Sequence, residues 1–162
     1  MKKLLLITAL ALVLKATGLL PFQSADIADL LPLRTLTVDV TADGIALDAG
    51  EASGTGPTLE AALKDLCATA TGQAFPATVR QVILSQSARE LLPEICRWQA
   101  LRPAAQVVLA PEGLPDPEEA ADYLETHDPG LTLQQVQAAL LRGQTVTLPT
   151  LRTEGGLRLE KP

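Results

Sequence analysis

The feature that most constrains the fold is an opening pair of alternating segments on either side of Asp43-Gly44. Apolar and polar residues alternate in both segments, and a period of two predicts half-buried strands. An Asp-Gly pair favours a tight hairpin turn. We therefore predict an antiparallel hairpin over residues 34–51, whose inward-facing residues are Leu36, Val38, Val40, Ile45, Leu47 and Ala49.

Helix and strand signals alternate through the rest of the chain. Short apolar runs at residues 79–84 and 105–111 predict buried strands, and residues 145–153 and 156–160 predict two more. Four helix starts are indicated by cap signals, namely Thr58, the Ser87/Glu90 pair, Asp116-Pro117 and the Thr132/Gln135 pair. This order predicts an α/β (α+β) fold, a mixed sheet opened by an antiparallel hairpin with about four helices packed on it.

The first residues have the pattern of a secretory signal. Lys2 and Lys3 precede an apolar run over residues 4–14, and small residues follow at 16–18. We predict export with cleavage after Gly18, which leaves a single domain over residues 19–162; an uncleaved membrane anchor is the alternative. The run is short for a transmembrane helix.

Composition narrows the classes of partner. The 162 residues carry a net charge of −6 and only four aromatic side chains, Phe22, Phe75, Trp98 and Tyr123. An acidic chain with few stacking side chains is a poor fit to nucleic acid. The core must be built from Leu, Val, Ile and Ala.

Two cysteines, Cys67 and Cys96, leave two alternatives open. Outside the cytoplasm they could form the one disulfide that two cysteines allow, or they could be separate thiols on helix faces. No zinc-binding spacing is present and His127 is the only histidine, so no metal site is predicted. No cofactor is predicted either.

The stretch GTGPTLEAALKDL, residues 54–66, raises the question of a phosphate loop. A P-loop needs a lysine after its last glycine, and a dinucleotide loop needs a third glycine where Leu59 stands. We interpret the Gly54–Gly56 segment as a tight turn before a helix capped by Thr58. The alternative is a small extracytoplasmic ligand-binding protein or enzyme that uses this loop.

An acidic run follows Asp116, with no Lys or Arg between residues 112 and 128. Glu118, Glu119 and Asp122 lie on one predicted helix and form our candidate partner surface, with a merely solvated helix face as the alternative. Ser85 and Ser87 lack a nucleophile elbow, and no set of residues completes a catalytic site, so we predict that the chain is not an enzyme.

Several segments, taken in order, resemble the N-terminal domain of the Ger(x)C spore germination proteins, the C subunits of germinant receptors. The family has a Thr-Gly-Cys lipoprotein signal, a Gly-x-Gly-x-Thr-Leu-Glu-Glu-Ala helix start and a following apolar strand. This chain has Thr17-Gly18, then GTGPTLEAALKDL, then VRQVILSQSARELL. Leu19 replaces the lipid-bearing cysteine, and the family continues into further domains.

The resemblance implies a non-catalytic protein that docks to other germinant receptor subunits, the permease-like membrane subunit and the A-type subunit. It implies a place on the outer face of the inner spore membrane, anchored or peripheral through the N-terminal segment. Without the cysteine at position 19, lipid attachment is not expected.

Overall fold

A seven-stranded mixed sheet forms the centre of residues 30–162, the part of the chain that the computed structural model describes. The predicted signal segment and the cleavage after Gly18 lie outside these residues. The strands are β1 Leu30–Pro32, β2 Thr35–Thr41, β3 Gly44–Asp48, β4 Ser53–Gly56, β5 Gln73–Phe75, β6 Gln81–Ser85, β7 Gln106–Ala110, β8 Thr150–Arg152 and β9 Arg158–Glu160. The helices are α1 Leu59–Thr69, α2 Leu92–Ile95, α3 Pro117–Thr126 and α4 Leu133–Leu141, with 3₁₀ turns at Pro76–Thr78 and Ser87–Leu91.

The spatial order of the main sheet is β4-β3-β2-β6-β7-β8-β9. β2, β6, β7 and β8 run parallel, whereas β3, β4 and β9 pair antiparallel with their neighbours. Parallel neighbours need crossover connections, which helices and 3₁₀ turns supply here. The predicted mixed α/β sheet with four helices is confirmed. A separate two-stranded sheet, β1 with β5, was not predicted.

The opening hairpin is also confirmed. β2 pairs antiparallel with β3, with Val38 opposite Leu47 and Val40 opposite Ile45. Gly44 closes the turn with a φ of 123°, a conformation that residues with a Cβ rarely adopt. The hairpin therefore forms where the Asp-Gly pair predicts it. The predicted half-buried alternation of its first strand was wrong, because Thr35 and Thr37 are buried beside β6, whereas Val40 near the turn is 38% exposed.

Helices cover both faces of the sheet and divide the core in two. The larger cluster packs α1, α2 and α4 on one face, through residues such as Leu66, Ile95 and Val136. The smaller cluster packs α3 on the other face, where Leu124 meets Ile83 and its neighbours. Apolar residues on both sides of the central strands explain why β6 and β7 are continuous apolar runs.

Three of the four predicted helix starts are confirmed. Thr58 accepts from the Ala61 amide, Asp116 accepts from the amides of Glu118 and Glu119, and Thr132 forms a reciprocal capping box with Gln135. The prediction at Ser87 was wrong: a 3₁₀ turn begins there without a side-chain cap. The Ser87 hydroxyl instead donates to Asp39 on β2, 2.7 Å away.

Candidate functional site

The glycine-rich stretch is not the turn that the sequence predicts. Ser53–Gly56 is a strand, β4, paired antiparallel with β3. Gly54 and Gly56 are buried beneath α1. A Cβ on Gly54 would lie 2.5 Å from the Ala62 carbonyl oxygen, and a Cβ on Gly56 would lie 2.5 Å from the Ala62 nitrogen. The glycines thus serve the close approach of a strand and a helix, a recognised use of glycine.

Two side chains of α1 also form hydrogen bonds with backbone groups on the outer edge of β4. The Asp65 carboxylate accepts from the Thr55 amide at 2.9 Å, and the Thr69 hydroxyl donates to the Ser53 carbonyl at 2.5 Å. Asp65 and Thr69 are one helical turn apart, so they lie on the same face of α1. Because β4 is the last strand of the sheet, these bonds occupy backbone groups that another strand would otherwise pair with.

The carboxyl ends of the parallel strands hold a polar cluster that the sequence did not reveal. This edge is where open α/β sheets usually bind ligands. Asp39 of β2 accepts from the Ser87 hydroxyl at 2.7 Å and from the Val40 amide at 2.8 Å. Ser85, at the end of β6, lies 2.8 Å from Ser87 and accepts from the Ala88 amide. Two serines and an aspartate on different elements are therefore joined in one chain of hydrogen bonds.

The electrostatics of this cluster favour a charged Asp39. Partial burial by itself would raise the pKa of Asp39. The hydroxyls of Ser85 and Ser87 and the Val40 amide together outweigh that effect, so the pKa lies below its usual value. No histidine, lysine or cysteine takes part in this chain of hydrogen bonds. The arrangement ties β2 to the turn after β6, and the lowered pKa of its only carboxylate, Asp39, makes that group a weak base toward a serine hydroxyl.

An ion-pair group lies at the end of β8. Arg152 pairs with Glu112, in the segment after β7, and with Glu160 of β9 at 3.2 Å. The hydrogen bond from Arg152 lowers the pKa of Glu112. The charge of Arg152 is thus paired with two carboxylates. These ion pairs join β8, β9 and the segment after β7 at this end of the sheet.

The acidic residues of α3 divide into two sets. Glu118 and Glu119, in its first turn, are exposed and make no ion pair with any residue in 30–162. Asp122 pairs with Arg34 at 2.8 Å, and Glu125 pairs with Arg34 at 3.0 Å. The candidate surface of Glu118, Glu119 and Asp122 thus lies on the solvent-facing side of α3. Arg34 balances part of its charge through Asp122.

The contacts of the single histidine, His127, are an aromatic ring and two uncharged oxygens. His127 stacks on Tyr123 with ring centroids 4.1 Å apart, and its Nδ1 lies 2.9 Å from both the Tyr123 carbonyl oxygen and the Thr126 hydroxyl. No carboxylate is among its hydrogen-bond partners in the described part of the chain. The Tyr123 hydroxyl accepts from the Leu159 amide at 3.0 Å, so this corner anchors β9.

The structure holds both cysteines as free thiols, which is one of the two alternatives that the sequence leaves open. Cys67 is exposed on α1, and Cys96 is half-buried after α2. Burial raises the pKa of Cys96 to about 11. Cys96 is therefore an unreactive thiol that contributes to the core as a small apolar group.

Residues 30–162 contain neither a metal-binding cluster nor a membrane-spanning helix. Residues 30–162 contain no group of three or more His, Cys, Asp or Glu arranged to hold a metal ion. Within the same residues, no helix has both the length and the apolar character needed to cross a bilayer.

Comparison with known proteins identifies no relative of this chain. No family model matches the chain, and neither a curated protein nor a solved structure is significantly similar to it.

Proposed function

We propose that this chain is a non-catalytic spore germination protein that docks to other subunits of a germinant receptor. The ordered set of segments that resemble the N-terminal domain of the Ger(x)C proteins supports this function. In this function the protein would act outside the cytoplasm, close to a membrane through its N-terminal segment and without a lipid at position 19.

The packing of Gly54 and Gly56 against α1 carries the proposal. These glycines lie in the segment that follows the Ger(x)C pattern most closely, and a Cβ on either would meet the backbone of Ala62. Glycines that serve helix packing fit a likeness in domain structure, whereas a ligand loop would present its amides to solvent. The likeness therefore supports a common domain rather than a common reaction.

The exposed first turn of α3 supplies the contact surface in this proposal. Glu118 and Glu119 carry two negative charges without an ion-pair partner in the described residues, beside Asp122, which Arg34 partly balances. Unpaired charges at a surface steer a partner of opposite charge and act over about 8 Å at physiological salt. The partner surface should accordingly be basic.

A pull-down with the A-type and permease-like receptor subunits tests this function. The double change Glu118→Lys with Glu119→Lys should reduce recovery of the partner and should make the remaining binding less sensitive to salt. A matched control is Glu60→Lys with Glu94→Lys, which reverses two exposed charges on helices of the opposite sheet face. Equal recovery with both double variants would reject the α3 surface, and absence of binding by the unaltered protein would reject the docking function.

Ligand screening separates this function from the alternative of a small ligand-binding protein or enzyme. A nucleotide or phosphate at 100 times its dissociation constant should stabilise a binding protein by ~2.7 kcal/mol. We expect no such rise in the melting temperature, because Gly54 and Gly56 are covered by α1. A rise that disappears on changing this segment would favour the alternative.

A further inference from the structure

The helix α3 packs over only part of its face of the sheet. Its buried residues meet Ile83 of β6 and Val108 of β7, and the helix borders β2. The larger cluster on the opposite face takes the apolar residues of β2 and β3, namely Leu36, Val38, Ile45 and Leu47. Because side chains alternate along a strand, the residues between these four point to the face of α3.

The part of this face that β2, β3 and β4 form is polar. Its side chains stand in two rows of paired residues, Thr37, Asp48 and Ser53 in one row and Asp39, Ala46 and Thr55 in the other. The largest apolar side chain among them is an alanine, and Ala46 belongs to neither core cluster. This part of the face therefore forms no apolar core with α3.

A groove between this polar face and the first turn of α3 contains two adjoining cavities. The first measures about 220 Å³ and lies beside Thr35, and the second measures about 360 Å³ and lies beside Asp39. Pro117 lines both cavities, so they meet at the start of α3. The distance from Thr35 to Asp39 is four strand steps, about 13 Å, which is the length of about four residues of extended chain.

The first cavity combines apolar walls with carboxylates. Its walls include Leu31, Pro117 and Ala121, of which the last two are buried. Glu51 and Glu118 line the same cavity. Lysine and arginine lay an aliphatic stem along apolar surface and keep the charged end accessible, so one such side chain fits these walls and these carboxylates.

The charge of the groove is negative. The two cavities are lined by one arginine, Arg34, and by the carboxylates of Asp39, Asp48, Glu51, Asp116 and Glu118. Within residues 30–162 none of these carboxylates forms an ion pair, whereas Arg34 pairs with both Asp122 and Glu125. The groove therefore complements a cationic partner and repels an anionic one.

Glu118 and Glu119 differ in their relation to the groove. A Cβ on Gly50, in the turn between β3 and β4, would lie 3.2 Å from Cγ of Glu118, so the Glu118 side chain extends over that turn. Glu118 lines the first cavity, whereas Glu119 lines neither cavity. Two adjacent residues with the same charge thus lie on different sides of the groove's boundary.

From this groove we infer that the docking partner places a basic, extended segment between α3 and the polar face, with a lysine or arginine side chain in the cavity of Glu51 and Glu118. The inference rests on the docking function proposed above and adds to it the chemistry of the partner segment. The contact surface then runs from Glu118 to Glu51 and Asp48, and Glu119 lies outside it.

Affinity for the A-type and permease-like subunits, measured with the full chain at several salt concentrations, tests the groove. Glu51→Gln and Glu118→Gln should each weaken binding by about tenfold, as expected for the loss of a charge-assisted hydrogen bond, and should lower its salt dependence. Glu119→Gln and Asp43→Asn are the matched controls, because both residues are exposed and line neither cavity. They should change the affinity by less than about twofold.

The outcomes separate the groove from the docking function. Binding by the unaltered protein, with equal effects of the groove and control variants, would overturn the groove and leave the docking function in place. Stronger binding by Glu51→Gln and Glu118→Gln would also overturn it, because the partner segment would then be acidic. Absence of binding by the unaltered protein would reject the docking function and this inference with it.

Discussion

Gly54 of β4 approaches α1 so closely that a Cβ on it would lie 2.5 Å from the carbonyl oxygen of Ala62. The obstruction is helix backbone, which cannot move aside as a flexible side chain can. The strand and the helix are therefore packed at a distance that glycine alone allows.

Replacing Gly54 by alanine should destabilise the protein. Overpacking a well-filled contact costs about 1–3 kcal/mol, and a backbone obstruction belongs at the upper end or beyond. Urea unfolding should show a lower midpoint. Thr55→Ala on the same strand is the control, since Thr55 is exposed and its side chain makes no hydrogen bond among the described residues; its effect should stay within about 1 kcal/mol. A Gly54→Ala variant as stable as this control would contradict the packing argument.

Removing the Asp65 carboxylate should weaken the outer edge of β4. Asp65→Ala leaves the Thr55 amide without its acceptor, and the loss of such a bond costs about 1 kcal/mol. The variant should also associate more readily, because an unprotected edge strand pairs with other chains. Light scattering and urea unfolding measure the two effects. Lys64→Ala, an exposed neighbour on α1, should change neither.

The low pKa of Asp39 should make the protein less stable in acid. A carboxyl group whose pKa is lower in the folded state stabilises that state fully above its unfolded-state pKa, about 3.9. The contribution is lost as the pH falls through the folded-state pKa. Comparing unfolding free energies from pH 7 to pH 2, the stability lost by Asp39→Asn should be largest near neutrality and should shrink below about pH 4. A loss that is constant with pH would show that the charge of Asp39 is not involved.

The two thiols should differ in reactivity. Cys67 is exposed, whereas burial raises the pKa of Cys96 to about 11 and so leaves little thiolate at neutral pH. Iodoacetamide should label Cys67 first, and Cys67→Ser should leave only slow labelling of the native protein. Intact mass of the non-reduced protein should correspond to two free thiols. A mass lower by two hydrogens would mean that the cysteines pair after all.

The parts of the fold that the sequence predicted are those set by neighbouring residues. Thr58, Asp116 and Thr132 each cap a helix through an amide two or three positions away, so the signal and its effect lie together. The Asp43-Gly44 turn is equally local. In contrast, the Ser87 prediction failed because its hydroxyl bonds to Asp39, 48 residues earlier.

The failure at β4 has a related cause. Glycines are poor strand formers and indicate turns, and only the distant contact with α1 explains why Gly54 and Gly56 are strand residues.

The Tyr123 hydroxyl accepts a hydrogen bond from a backbone amide of β9, as the Asp65 carboxylate does from a backbone amide of β4. The two strands are the margins of the sheet, and the amides of Leu159 and Thr55 donate to side chains of α3 and α1, helices from opposite faces. Amide protons at the margin of a sheet commonly exchange with solvent deuterium through local fraying. Here the amides of Leu159 and Thr55 should be protected by their hydrogen bonds. Slow exchange should then extend from β4 to β9, and fraying should be confined to the strand ends.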